Sequence, residues 1–275
     1  MGRGSKVDLI VQRDSRGFPV IYKTSIKGAI KSHCSIAEEL AKVSEDIFGE
    51  DVEPGSVKVD YGLSKVVFSD AYLLAFPVAI EENLFVYVSS PYMLKRIRLI
   101  APTESKLALF INSLLNKCRS LKGNSAIVSE SIRDIFESNL MFERKIDVIG
   151  TFSETINLPE AEYPFSEFSK RLAILSDEVL EEAMGELPHA YRISTDYQLK
   201  KVKYGGLWSE EYVPSGSIFL GLMLVSRYEF SEKEEKPVKI DLSYFLNELF
   251  KNNVLYLFLG RKETVGKGLV KIVRY

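Results

Sequence analysis

"VLYLFLGRKETVGKGLVKIVRY", residues 254–275, sets two short apolar runs on either side of a loop of glycines and cations. The flanking runs are rich in β-branched and aromatic residues, which suit paired strands, and glycine lets the backbone between them turn tightly. A nucleotide-binding P-loop is the first alternative, because it also places a glycine-rich turn after a strand. That motif reads Gly-x-x-x-x-Gly-Lys-Ser/Thr and opens a helix whose amino end faces the phosphates. Here five residues separate Gly260 from Gly266, Gly268 stands where the hydroxyl belongs, and "LVKIV" follows in place of a helix. The stretch therefore reads as a closing hairpin. Arg261, Lys262, Lys267 and Lys271 surround backbone that a sugar–phosphate chain can approach closely at Gly266 and Gly268.

Upstream of it, strand-like and helical segments alternate without an internal repeat or a low-complexity linker. Residues 7–11 and 20–22 are short apolar segments around the polar loop "QRDSRGFP". "TSIKGAIKSHCSIAEELAKV", residues 24–43, carries Ile26, Ile30, Cys34, Ala37, Leu40 and Ala41 on one helical face, with Thr24 or Ser25 as the expected N-cap. Residues 66–70, 73–80 and 83–90 predict strands, the last closed by Pro91. Residues 104–121 form a strongly amphipathic helix pattern, and residues 176–184 a second helix after Ser176. "AYRISTDYQLKKVKYGG", residues 190–206, suits a long basic hairpin around Asp196. "GSIFLGLMLVSRYEF" reads as a buried strand and "LSYFLNELFKNN" as a helix. This order predicts an α+β fold with a ferredoxin-like core and insertions.

Composition narrows the class. At 275 residues and 46% hydrophobic, the chain can bury a substantial core. No apolar run approaches the roughly 18 residues of a membrane span, and the first residues lack a secretory apolar segment, so a cytoplasmic protein without membrane contact is expected. Cys34 and Cys118 stand far apart on apolar helical faces, which suits core positions over a disulfide or zinc site. His33 and His189 are the only histidines and read as surface or partly packed residues. The net charge of −2 conceals segregation: residues 1–31 hold seven Lys/Arg against two Asp, residues 192–203 four against one, and residues 261–275 five against one. If these three ribbons meet in space they form a polyanion track on an otherwise acidic body; taken singly, each is an ordinary solvated face.

Several stretches together resemble one family. "VDLIVQRDSRGFPVI", "SIKGAIK", "FSDAYLLAFPV" with "VYVSSPYMLKR", "GGLWSEEYVPSGSIF" and "LGRKETVGKGLVKI" occur in the order seen in the backbone subunits of the type III-B CRISPR effector, the Cmr complex, within the RAMP superfamily of RNA-binding proteins. The resemblance runs nearly end to end. An ordinary RNA-recognition motif fits less well, since no aromatic-rich Lys/Arg-Gly-Phe-Gly-Phe segment is present.

The resemblance implies a single RAMP domain over residues 1–275, with a helical insertion at about 102–185 and a thumb hairpin at about 190–204 ahead of the G-G-L-W motif. It implies copies polymerised along a guide CRISPR RNA, alongside other Cmr subunits, with a complementary target RNA cut at regular intervals. Sequence choice then belongs to base pairing, and the protein reads shape, phosphates and the 2′-hydroxyl. The residues expected on RNA are Arg3, Gln12, Arg13, Ser25, Lys27, Lys31, Arg192, Lys200, Lys201, Lys203, Trp208, Arg261, Lys262, Gly266, Lys267 and Gly268. The family's catalytic aspartate precedes its Q-R motif, which maps onto Asp8. A divalent cation, magnesium or manganese, is expected at Asp8 and shared with RNA phosphates, because one carboxylate alone holds it weakly. Glu210 and Glu211 are secondary candidates for proton transfer or metal contact, and equally for pairing with lysines of a neighbouring copy. The plain alternative for Asp8 is a strand-start residue paired with Arg13.

Two further readings stay open: a non-catalytic structural RNA-binding paralogue, and a nuclease that processes precursor guide RNA. The second would lean on a His, Tyr or Lys acid–base pair, which so few histidines disfavour. The sequence also departs from the family pattern. Met1 is followed at once by Gly2-Arg3-Gly4-Ser5 where an apolar strand and a histidine-bearing turn are usual, so no role for that histidine transfers. Tyr22-Lys23 replace a common Pro-Gly, and Arg261 replaces a glycine.

Overall fold

The computed structural model describes residues 7–49, 64–81, 84–157, 165–185, 187–196, 198–225, 242–260 and 266–274. In chain order the elements are β1 (Val20–Ile21), α1 (Lys23–Ile36), α2 (Glu38–Phe48), β2 (Val66–Phe68), β3 (Ala71–Glu81), β4 (Leu84–Ser89), α3 (Pro91–Ile100) and α4 (Lys106–Lys117). They continue with β5 (Ser125–Ser129), α5 (Arg133–Ser138), β6 (Asp147–Phe152), β7 (Leu172–Leu175), α6 (Asp177–Met184), β8 (His189–Thr195) and β9 (Val202–Glu211). The last are β10 (Ile218–Leu220), β11 (Met223–Val225), α7 (Leu242–Leu249), β12 (Val254–Phe258) and β13 (Leu269–Val273). The fold is α+β with a mixed sheet. It divides into two compact units, the first drawn from residues 1–20, 72–158 and 162–220, the second from residues 21–71, 159–161 and 221–275.

The first unit is built on a sheet of order β1-β3-β4-β7-β5-β6, with β10 also paired to the long strand β3. β4 and β7 run parallel, as do β5 and β6, while β5 and β7 run antiparallel. Side chains alternate between two cores as a strand's period of two demands. Val86, Val88, Ala126, Val128, Ala173 and Leu175 enter one core with Val179 and Leu180 of α6. Tyr87, Ile127, Leu172 and Ile174 enter the other with Leu94 and Ile97 of α3 and Phe110, Ile111 and Leu114 of α4. Each of the buried Val, Leu, Ile and Phe side chains contributes about 1.5–3 kcal/mol before chain entropy is set against it. Serine caps start these helices: Ser90, Ser105 and Ser176 accept from the backbone amides of Met93, Ala108 and Val179. The expected helix after Ser176 is thus present, and the amphipathic pattern at 104–121 resolves into α4 and a short 3-10 turn.

The second unit packs α1, α2 and α7 on short strands, with Ile30, Cys34, Leu40, Phe245, Leu255 and Leu257 in one core. The closing hairpin forms as read: β12 and β13 pair antiparallel in the register Tyr256↔Lys271 and Phe258↔Leu269. Gly268 has φ +78°, and a Cβ there would lie 2.2 Å from the Leu259 carbonyl oxygen, so no other residue fits this turn. Cys34 and Cys118 are both buried and free, and burial pushes their thiols up to about 11 and about 12, leaving them protonated and inert at neutral pH.

Several expectations are corrected. The helix over 24–43 is two helices, broken at Ala37, whose ψ of 113° is extended. Its N-cap is Tyr22 without a side-chain bond, not Thr24 or Ser25; the exposed Lys23 amide is met by Asp70 Oδ1 at 2.9 Å. "GSIFLGLMLVSRYEF" does not make one buried strand: β10 belongs to the first unit and β11 pairs with β2 in the second. Residues 226–230 lie outside the described residues. Residues 102–185, expected as a helical insertion, also carry β5, β6 and β7, and β7 lies between β4 and β5 in the sheet. All residues of β5 and β7 are buried, so neither shows the polar alternation by which a half-exposed strand is recognised. No helix among the described residues is long and apolar enough to cross a membrane.

Candidate functional site

The N-terminal segment lies along the end of β9. Leu9 bridges Glu210 in parallel fashion, its amide donating to Ser209 O at 3.0 Å and its carbonyl accepting from Glu211 N at 2.8 Å. This pairing seats Asp8 beside Ser209. Asp8 Oδ2 accepts from the Ser209 amide at 2.7 Å and from the Ser209 hydroxyl at 2.8 Å, while the Asp8 amide donates to Ser209 Oγ at 3.0 Å. The residue itself is exposed. The Ser209 amide first, and its hydroxyl second, hold the Asp8 carboxyl below its ordinary value of 3.8. A depressed acid contributes stability above its unfolded pKa and loses it as pH falls through the folded value, so Asp8 stays ionised at every neutral or mildly acidic pH.

Arg13 does not pair with Asp8. Its Nη2 meets Glu211 Oε1 at 2.5 Å, and its Nη1 donates to the carbonyls of Gly17 and Met184, each at 2.6 Å. Glu211 Oε2 accepts from the Val11 amide at 3.0 Å. Glu210 is 6% exposed and pairs with Arg192 Nε at 2.7 Å. The two glutamates expected near the chemistry are thus bound to arginines of the same chain, and Arg13 and Arg192, expected on RNA, are turned to protein carboxylates. The physical reason is burial: a carboxylate removed from water needs an opposite charge or several donors.

β8 and β9 form a two-stranded antiparallel hairpin, with Arg192 opposite Trp208 and Ile193 opposite Leu207. Asp196 shapes its end by accepting the amides of Gln198 and Leu199 on Oδ1. A Cβ at Gly206 would stand 2.8 Å from the carbonyls of Lys203 and Ser194, so glycine is required for the strands to close. Lys200, Lys201 and Lys203 are exposed, and Trp208 is partly buried. Between them the hairpin exposes large apolar side chains: Tyr191 at 70%, Leu199 at 70%, Leu207 at 61% and Tyr204 fully.

Sequence reasoning missed Asp14. Its Oδ1 accepts the amides of Arg16 and Phe18 at 2.8 and 3.0 Å, and its Oδ2 meets Arg96 and the Tyr92 hydroxyl, the latter at 3.3 Å. Arg96 in turn lies over the Tyr72 ring, 3.8 Å from its centre. The Asp-x-x-Gly spacing, with Gly17 at φ +88°, was the available signal for this turn.

In the second unit, Lys27 and Ser25 are partly buried on the first turns of α1, which carries no acidic residue there. Lys31 Nζ donates to Gly49 O at 3.3 Å. Gln12, in the first unit, is exposed, and its carbonyl accepts from Val20 N at 3.0 Å. Gly266 takes φ +75°, and Lys267 follows it in the loop before β13. Arg3, Arg261 and Lys262 lie outside the described residues. Asp8 and the hairpin belong to one unit, Lys27, Lys31 and Lys267 to the other. Among the described residues no cluster of three or more His, Cys, Asp or Glu stands ready to hold a metal ion.

Comparison with known proteins agrees along the whole chain. The RAMP superfamily model matches residues 1–271. The CRISPR system Cmr endoribonuclease Cmr4 of Pyrococcus furiosus is 30% identical over 276 residues, covering 97% of this chain and 87% of the relative. The CRISPR system CMR subunit Cmr4 of Saccharolobus solfataricus is 28% identical over 292 residues, covering 97% and 88%. A chain in the type III-B Cmr-beta complex bound to cognate target RNA superposes with a TM-score of 0.72 at 28% identity, covering 100% of this chain and 92% of the other.

Proposed function

The chain belongs to the RAMP superfamily, in its Cmr4-like branch, and from that premise we propose that it is the repeating backbone subunit of a type III-B CRISPR effector, binding guide RNA and cleaving the complementary target RNA. The observation that carries the catalytic part is Asp8: an exposed, ionised carboxylate anchored through one oxygen at the foot of the β8–β9 hairpin. In this reading the hairpin is the thumb and the second unit the ferredoxin-like palm of a single RAMP domain. Further copies of the chain continue the filament, and other Cmr subunits close its ends.

The thumb's surface suits its task. Tyr191, Leu199, Leu207 and Tyr204 offer an apolar wedge that unstacks a base step, while Lys200, Lys201 and Lys203 meet phosphates on either side. A kinked target strand brings a ribose 2′-oxygen into line with its own phosphorus. The O2′–P bond forms as the P–O5′ bond breaks, leaving a 2′,3′-cyclic phosphate and a 5′-hydroxyl. The 2′-hydroxyl proton leaves to solvent or a bound base, and O5′ takes one up. Asp8, held as a weak base by Ser209, serves this step by orienting the 2′-hydroxyl and by its charge more than by accepting the proton.

The chain's own donors do not make a closed metal site. Asp8 offers one oxygen beyond its contacts with Ser209, and Glu210 and Glu211 are held by arginines. A magnesium or manganese ion therefore fits this reading only when RNA phosphates supply most of its ligands. Chelation of divalent cations is expected to stop cleavage in an assembled complex while target binding persists; cleavage undiminished in excess chelator removes the cation from the mechanism.

The palm's role is tested by salt. Lys27→Ala or Lys267→Ala in the assembled complex should weaken RNA binding and lower the slope of log affinity against log salt by about 0.7–1 per lysine. An unchanged slope takes these lysines off the phosphates.

A further inference from the structure

Ser209 lies in the stretch Gly205-Gly206-Leu207-Trp208-Ser209-Glu210-Glu211-Tyr212, and the family resemblance assigns it no role. Its geometry is nonetheless specific. The hydroxyl accepts the Asp8 amide at 3.0 Å and donates to Asp8 Oδ2 at 2.8 Å, while the Ser209 amide donates to the same oxygen at 2.7 Å. One side chain therefore fixes both the backbone and the carboxylate of residue 8. The flanking Leu9 bonds to Ser209 O and Glu211 N tie that arrangement to β9. Ser209 is 3% exposed, so it reaches RNA only through the residue it holds.

We propose that Ser209 is a positioning residue for target cleavage: it clamps Asp8 Oδ2 to strand β9, so that Oδ1 is presented to RNA in one orientation and moves with the hairpin. The proposal rests on the reading of Asp8 as the cleavage carboxylate. An exposed aspartate on an N-terminal segment would otherwise sample several rotamers, and a reacting group displaced by about 1 Å costs on the order of 100-fold in rate. Holding one oxygen removes that freedom without covering the other. It also couples the wedge to the chemistry, because a shift of β9 on engaging the duplex carries the carboxylate along.

The test uses the assembled complex with guide RNA, measuring single-turnover cleavage of labelled target RNA and the target dissociation constant. Ser209→Ala keeps the backbone donor but loses the hydroxyl, so cleavage should slow by about 10- to 100-fold with affinity unchanged. Ser209→Thr restores the hydroxyl and should recover most of the rate. Wild-type cleavage by S209A overturns the proposal, and so does an equal loss in S209A and S209T, which marks a packing role. If S209A does not assemble, Ser209→Cys decides in its place: a weak donor of similar volume should slow cleavage, and an unslowed complex overturns the clamp. Asp8→Asn, run in parallel, separates the two ideas. Full cleavage by D8N removes the underlying reading, whereas an inactive D8N beside a fully active S209A refutes the clamp alone.

Discussion

Asp8→Ala in a complex reconstituted with guide RNA is expected to lower single-turnover cleavage by about 10²- to 10⁴-fold, the range spanned by loss of one positioned catalytic group, while target affinity stays within about twofold. The separation of rate from affinity follows from the structure. Asp8 is exposed and its carboxylate bonds to Ser209, outside both buried cores, so its loss removes no part of either. Measured beside a target-binding titration, a variant that binds and does not cut supports Asp8 at the chemistry. A variant that cuts at the normal rate leaves a structural RNA-binding role as the better account of this chain.

Glu211→Ala is expected to act on stability first. The Glu211 carboxylate is 7% exposed and joins Arg13, 20% exposed, across 198 positions, while also accepting the Val11 amide. Removing it strands a partly buried guanidinium and an amide together; a fully buried broken pair costs about 3–5 kcal/mol, and the partial exposure of Arg13 reduces this to about 2–3 kcal/mol. Denaturant unfolding of the purified chain should show the loss directly, with cleavage falling in proportion to assembled complex. Glu211→Ala with normal stability and no cleavage would instead return this residue to the reaction, as its place in the Glu210-Glu211-Tyr212 motif first suggested. A double change, Arg13→Met with Glu211→Leu, should regain only the part of the loss due to the unpaired charge, since the Val11 amide and the Gly17 and Met184 carbonyls still lose these partners.

Much of the architecture followed from short-range chemistry. Serine ahead of an apolar period announced α6, and alternating β-branched residues around glycines announced β12 and β13. The basic hairpin around Asp196 was visible because an aspartate that accepts its neighbours' amides turns the chain by itself. Two kinds of feature were not visible. β5 and β7 are buried on both faces, so their sequences carry no alternation to betray a strand. The break at Ala37 was hidden because apolar residues keep helical spacing on both sides of it.

The candidate site divides along the same line. The family resemblance marked an aspartate ahead of the Gln12-Arg13 pair, and the charge pattern marked the lysines on the hairpin, since motif and charge are both read along the chain. Their partners could not. Asp8 meets Ser209 across 201 positions, Glu211 meets Arg13 only where the N-terminal segment lies beside β9, and Glu210 meets Arg192 only once β8 and β9 pair. Charge pairing depends on distance in space and on exclusion of water, and neither is written in residue order; folding alone converts three plausible carboxylates into one that faces solvent and two that brace the chain.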